Sequence, residues 1–357
     1  MFSFSKKIKI RNKYIGDNFP TYFIADIASN HDQNLNRAKK LIYLAKKSGA
    51  DAVKFQHFTA DTLVSDIEFS KLNLKSHQSK WKDSTYNIYK KNELLFNWTT
   101  ELYKFSKKNK IDFFTAAYSP ALVDKVNKFV PAYKIGSGDI TDHEIIKKIA
   151  KKNKPVFIAT GAASEKEVQL AVRVLKKYNS KVCLMQCNTN YTGSDENLSY
   201  LNLHVLREYK TKYKIITGLS DHTKGDFSVV AAVSLGARVI EKHFTDDNKR
   251  IGPDHYFSMN PKTWRNMVNK VRKLEVALGD GKKKIEKNEK QTSVLQRRSV
   301  MVNKDKKKGS IIKKNDLIFL RPNLSKSYQP YEYYKIVGKK LKRNKYKNEA
   351  ILKIDLK

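Results

Sequence analysis

Two cysteines among 357 residues, Cys183 and Cys187, cannot supply a disulfide framework. They lie in one apolar run, "VCLMQC", and read as buried thiols rather than a redox or metal pair. Long hydrophobic runs are missing as well. No stretch approaches the roughly twenty apolar residues of a membrane-spanning helix, and "MFSFSKKIKIRNK" lacks the apolar segment of a signal peptide. These absences argue against membrane and secreted classes, so a cytoplasmic protein with no membrane partner is expected. Arginine is scarce: 12 of the 72 cationic side chains, which leaves 60 lysines. A formal charge of +37 would suit a nucleic-acid binder if the cations were clustered. They occur instead as pairs such as Lys39-Lys40, Lys107-Lys108 and Lys151-Lys152 between apolar helix positions, the pattern of solvated helix faces. No dedicated nucleic-acid function is expected.

The 40% hydrophobic content suits a folded globular chain. From residue 22 to 278, β-rich runs alternate with helix-length stretches. The runs are "YFIADI", "DAVKFQ", "IDFFTA", "AYKIG", "PVFIAT", "VCLMQC", "KIITGL" and "RVIEKHF". Helical spacing shows in Leu41, Leu44 and Ala45, and in Val168, Ala171, Val172 and Leu175. Eight strand-then-helix units match an α/β (β/α)8 TIM barrel over residues 1–278, with a doubly wound open sheet as the alternative. The insert at 61–92 reads as an extended loop over one barrel end. The first twenty residues, with "KIKI", are expected to form a hairpin under the barrel floor. Residues 279–293 are polar and Gly-punctuated, as in a linker. Residues 294–357, with "SVMVN", "DLIFLRP" and "EAILKIDL", suffice for a small β-rich domain.

In such a barrel, chemistry collects at the C-terminal ends of the strands. Those ends carry Asp26, then Lys54 and Gln56 on one face, Thr115, Lys134, the turn Gly136-Ser137-Gly138-Asp139, "NTNY" at 188–191, Ser220-Asp221-His222, and Glu241-Lys242-His243. Lys54 and Lys134 sit inside apolar strands, where an unpaired ammonium costs several kcal/mol. With Ser and Thr hydroxyls and a glycine turn they resemble a site for a phosphate and a carboxylate. His222 and His243 are 21 residues apart, unlike a local zinc motif. Ending adjacent strands, however, they can converge on one metal ion. Asp139 reads as a helix cap. His31 and His57 are read with equal weight as functional side chains and as histidines that are only packed or exposed.

The stretches "IADIASNHDQNLNRAKKLIYLAKKSGADAVKFQHF", "YKIGSGDIT", "TGLSDHT" and "GARVIEKHFTDDNKRIGPDH" resemble, in order and spacing, the sialic acid synthase family. That resemblance spans nearly the whole chain. It implies condensation of phosphoenolpyruvate with an N-acetylated hexosamine to a nonulosonic acid, a C-terminal antifreeze-like (SAF) domain, and a domain-swapped homodimer. It also implies a divalent ion, Mn²⁺ or Mg²⁺, held by His222 and His243. On the same resemblance Lys54, Thr115, Lys134, Ser137 and Ser220 hold phosphoenolpyruvate. Gln56, Tyr191 and Asp254 lie toward the sugar, Asp26 stands at the family's acid/base glutamate, and Arg321 in "LRP" reaches an active site. Three departures stand out: Asp26 is one methylene short, Ala159 replaces a serine, and Thr189 replaces an asparagine. They leave the acceptor open between N-acetylmannosamine and dideoxy diacetamido hexoses. Another metal-dependent TIM-barrel aldolase or lyase acting on sugar phosphates is the alternative.

Overall fold

Strands buried on both faces need apolar side chains on both, and the runs at 22–27, 51–56 and onward supply them. The computed structural model describes residues 3–72, 81 and 83–357. A hairpin comes first, β1 (Ile8–Ile10) paired antiparallel with β2 (Lys13–Ile15). Eight parallel strands follow: β3 (Tyr22–Asp26), β4 (Ala52–His57), β5 (Asp112–Ala117), β6 (Tyr133–Ile135), β7 (Val156–Ala159), β8 (Val182–Cys187), β9 (Ile216–Asp221) and β10 (Val239–His243). Consecutive strands pair in sequence order, and β10 closes on β3 with Val239 opposite Tyr22. This is the expected TIM barrel, and closure excludes the open-sheet alternative.

A helix follows each barrel strand. Glu165–Tyr178 shows how one is set: Ser164 and Glu167 form a reciprocal capping box, and Val168, Ala171, Val172 and Leu175 turn inward. Alternation along the strands then separates two cores. Phe23, Val53, Phe55, Phe113 and Ile158 pack against the helices. Tyr22, Ile24, Ala52, Phe114, Phe157, Met185 and Val239 fill the barrel, and Ile8, Ile10 and Ile15 of the hairpin join them from below. The hairpin closes the floor, so the barrel opens only at its C-terminal end.

The insert contains three short helices, Ala60–Leu63, Asp66–Lys71 and Thr85–Lys91, where an extended loop was expected; the remainder of that segment lies outside the described residues. The chain divides into two compact units, Met1–Gly279 and Asp280–Lys357. In the second, β11 (Ser299–Val302) pairs antiparallel with β12 (Leu317–Leu320) over a core of Val300, Val302, Ile312, Ile336, Leu341 and Ile351. The third β-rich run, "EAILKIDL", enters through single bridges, Ala350 to Met301 and Leu352 to Ser327, rather than as a strand. The segment 279–293 ends in helical turns, Lys287–Glu289 and the start of Lys290–Leu295. Among the described residues no helix is long and apolar enough to cross a membrane.

Candidate active site

Above the apolar filling of the barrel, the inward positions turn polar. Asp26, Lys54, Lys134 and Glu241 are each only 2–3% exposed. An unpaired charge there would cost several kcal/mol, so the four neutralise one another. Lys54 Nζ lies 2.7 Å from Asp26 Oδ2 and 3.1 Å from Glu241 Oε1, and Lys134 Nζ lies 3.1 Å from the same Glu241 oxygen. Ser220 Oγ donates to that oxygen at 3.3 Å. Burial pushes the Glu241 carboxyl up, but Lys134 and Lys54 outweigh it and hold the group down at about 2. For Asp26 burial wins over Lys54, and its carboxyl is raised. Burial opposes the charge on Lys54, yet Asp26 and Glu241 hold its pKa above the usual ammonium range. The ion pairs thereby fix both lysine side chains at the floor of a cavity of about 520 Å³.

The cavity wall rises through His222 and His243. Their rings are 5.4 Å apart between centroids, and Tyr191 lies 4.2 Å from His222. His222 Nδ1 sits 2.8 Å from the Asn188 carbonyl, which leaves Nε2 with a lone pair. His243 Nδ1 is buried without a hydrogen-bond partner, 3.8 Å from Asp254 Oδ2, while its Nε2 lies 3.6 Å from Asp26 Oδ2. Burial, with His243 beside it, holds His222 down at about 3, and burial holds His243 down at about 4. Both are neutral imidazoles, the form that ligates metal. Among the described residues no cluster of three or more His, Cys, Asp or Glu could hold a metal ion. The pair presents two imidazole rings to the cavity wall.

Gln56, Ser137, Asp139, Tyr118 and Asp254 also line the cavity. Ser137 Oγ accepts from Gly161 N, and Asp254 accepts from Ser29 N. Most residues expected from the sequence therefore converge. Thr115 does not. On β5 the inward residues are Phe114 and Ala116, and Thr115 points to the helix layer, where its hydroxyl meets His57 Nδ1 at 2.7 Å. His57 also reaches Thr99, and His31 packs edge-on to Trp98, so both histidines are packing residues. Arg321 lies at the end of β12 in the second unit, exposed. Asp139 does not cap the following helix, a role Asp142 performs. Burial, with Asp142 nearby, instead pushes the Asp139 carboxyl up to about 6.

Glu241 was placed among the strand-end polar residues but given no role, although period-two spacing from Val239 to His243 would have aimed it inward. Phe58, Leu63, Val64, Phe69 and Ile88, largely from the insert, form an apolar wall that no pattern in that Lys- and Ser-rich segment announced. Of the three departures, Ala159 is buried in the barrel and Thr189 lines the cavity.

Four buried neutral histidines carry a pH signature, since burial also holds His31 and His57 at about 4. An imidazole depressed in the folded state stabilises fully above its unfolded value of about 6.5 and loses that contribution as pH falls, because only the unfolded chain takes up the proton. Without metal, barrel stability should fall from about pH 6.5 toward about pH 4, by up to about 1.4 kcal/mol per pH unit per histidine. All three tryptophans, Trp81, Trp98 and Trp264, lie in the barrel unit, so their fluorescence in urea titrations reads that unit alone. A flat profile over this window would contradict neutral buried imidazoles.

Residues 41–283 match the NeuB family and residues 297–357 the SAF domain. An N,N'-diacetyllegionaminic acid synthase of Legionella pneumophila is 36% identical over 92% of each chain. A pseudaminic acid synthase of Campylobacter jejuni is 32% identical over 94% of this chain and 96% of its own. The crystal structure of an N-acetylneuraminic acid synthetase from Leptospira borgpetersenii, solved with citrate, matches with a TM-score of 0.71 at 28% identity, over 82% of this chain and 96% of that one. With the family matched across most of the barrel and relatives above 30% identity across nearly the full length, the chain belongs to the NeuB family of nonulosonic acid synthases and ends in a SAF domain.

Proposed function

We propose that the cavity joins phosphoenolpyruvate to the open-chain aldehyde of an N-acylated amino sugar, giving a nonulosonic acid and inorganic phosphate. The buried Lys54–Asp26–Glu241–Lys134 cluster carries this reading, because it presents two fixed ammonium groups to a ligand with a phosphate and a carboxylate. Ser137 adds a hydroxyl donor beside them, and Ser220, which donates to Glu241, borders the same space. C3 of phosphoenolpyruvate bonds to the aldehyde carbon, water adds at C2, and the C–O bond to phosphate breaks. Asp26, with its raised carboxyl, is suited to take a proton from that water or to give one to the alkoxide left on the former aldehyde oxygen. Held by His222 Nε2 and the unpartnered His243 Nδ1, Mn²⁺ or Mg²⁺ would polarise the aldehyde oxygen as a Lewis acid. Gln56, Tyr191 and Asp254 border the space left for the sugar.

For the acceptor we favour a dideoxy hexose with two acetamido groups over N-acetylmannosamine. The apolar wall of Phe58, Leu63, Val64, Phe69 and Ile88 suits methyl and acetyl groups better than hydroxyls. The similarity to a diacetyllegionaminic acid synthase points the same way. Each acceptor should be supplied with phosphoenolpyruvate, reading phosphate release and product mass. The dideoxy diacetamido sugar should turn over, and EDTA or His243→Ala should abolish the reaction; full activity in EDTA would remove the ion from the account. Asp26→Asn should cost at least about 10²-fold in turnover.

The family resemblance further supports a homodimer in which Arg321 serves the barrel of a second copy, its planar fork holding an acyl or carboxylate oxygen. Inactive His222→Ala and Arg321→Ala chains, mixed under conditions that exchange subunits, should then regain about a quarter of wild-type activity, since half the dimers are mixed and each has one whole site. A mixture that stays inactive would mean the arginine does not act in trans.

A further inference from the structure

We infer that the buried ion pair of Asp221 and Lys242, which faces away from the cavity, positions His222 and His243 for the ion they share. The inference rests on the reading of those histidines as ligands. On β9 and β10, Ser220, Glu241 and His243 turn into the barrel, so Asp221 and Lys242 turn toward the helix layer. There they are 1% and 2% exposed, with Lys242 Nζ 2.6 Å from Asp221 Oδ2.

The pair does more than neutralise itself. Lys242 Nζ also donates to the Thr223 carbonyl at 2.6 Å. Asp221 Oδ1 accepts from Thr223 N at 3.0 Å and from Thr223 Oγ1 at 2.9 Å. Ser228 Oγ, in the helix Phe227–Ser234, donates to Asp221 Oδ2 at 2.5 Å. His222 lies between the two residues held, Asp221 and Thr223, and His243 directly follows Lys242. The β9–β10 ladder ends at the rung Lys242–Asp221, so backbone pairing between these strands does not extend to His222. Beyond that rung, one side-chain cluster ties the backbone carrying one imidazole to the backbone carrying the other. A buried ion pair adds little net stability over an apolar pair of similar volume. What apolar side chains could not replace is the directed hold on Thr223. Asp221 and Lys242 are thus positioning residues, with no contact to substrate.

Calorimetric titration of the full-length chain with Mn²⁺ alone, and separately with phosphoenolpyruvate alone, tests this. The double variant Asp221→Leu/Lys242→Met keeps the layer filled, and Asp221→Asn keeps the shape and an oxygen for Thr223 N. Tryptophan fluorescence in urea establishes that each is folded. Mn²⁺ affinity should fall about 10- to 100-fold in the double variant and less in Asp221→Asn, the range for groups that orient metal ligands. Phosphoenolpyruvate affinity should stay within about three-fold, since Lys54 and Lys134 stand on other strands. Wild-type Mn²⁺ affinity in a folded variant overturns the inference alone. So does an equal loss for both ligands, which would mark general damage. A wild-type chain that binds no Mn²⁺ overturns the ligand reading together with it.

Discussion

Everything at the open end of the barrel depends on the cost of keeping two lysine side chains where almost none of their surface meets water. Lys54 and Lys134 are tolerated only because Glu241 stands between them and Asp26 beside one of them. That arrangement holds both lysine side chains in fixed ion pairs, the ordering of donors that the proposed anionic substrate would need. It also divides the two carboxyls by role. Glu241, with an ammonium on either side, is held below the usual carboxylate range, while burial raises Asp26, as the proposed proton transfer requires. Different environments give two acidic side chains different work.

Alternation along the strands decides which residues join that layer. The same rule that brings Asp26, Lys54, Lys134, Ser220, Glu241 and His243 inward sends His57, Thr115, Asp221 and Lys242 outward. The barrel, its eight strands and most of the cavity were legible from residue pattern, because hydrophobic runs and strand-end polar groups are local signals. Thr115 was misplaced by proximity to the strand end, where facing should have been counted from Phe114. Glu241 was visible but given no role, since an acidic residue inside a strand looks unfavourable until its two lysine partners, over a hundred residues distant in sequence, are placed beside it.

Other features had no local signal. The apolar wall comes from short helices of a polar insert, and only folding reveals that Leu63, Phe69 and Ile88 face one space. Tyr118 and Asp139 reach the cavity through turns whose direction no periodicity encodes. In the second unit, "EAILKIDL" has strand composition but makes isolated bridges to several partners. Propensity describes an ability to pair, and tertiary context chooses the pairing.

The central claim is that the buried four-charge layer receives phosphoenolpyruvate. A crystal structure of the chain with phosphoenolpyruvate and Mn²⁺ tests it most directly. The account predicts phosphate and carboxylate oxygens within about 3 Å of Lys54 Nζ and Lys134 Nζ, with the ion on His222 and His243. Phosphoenolpyruvate bound in the neighbouring groove lined by Gln186, Asn190 and Tyr209, with both lysines still paired only to Glu241 and Asp26, would contradict it.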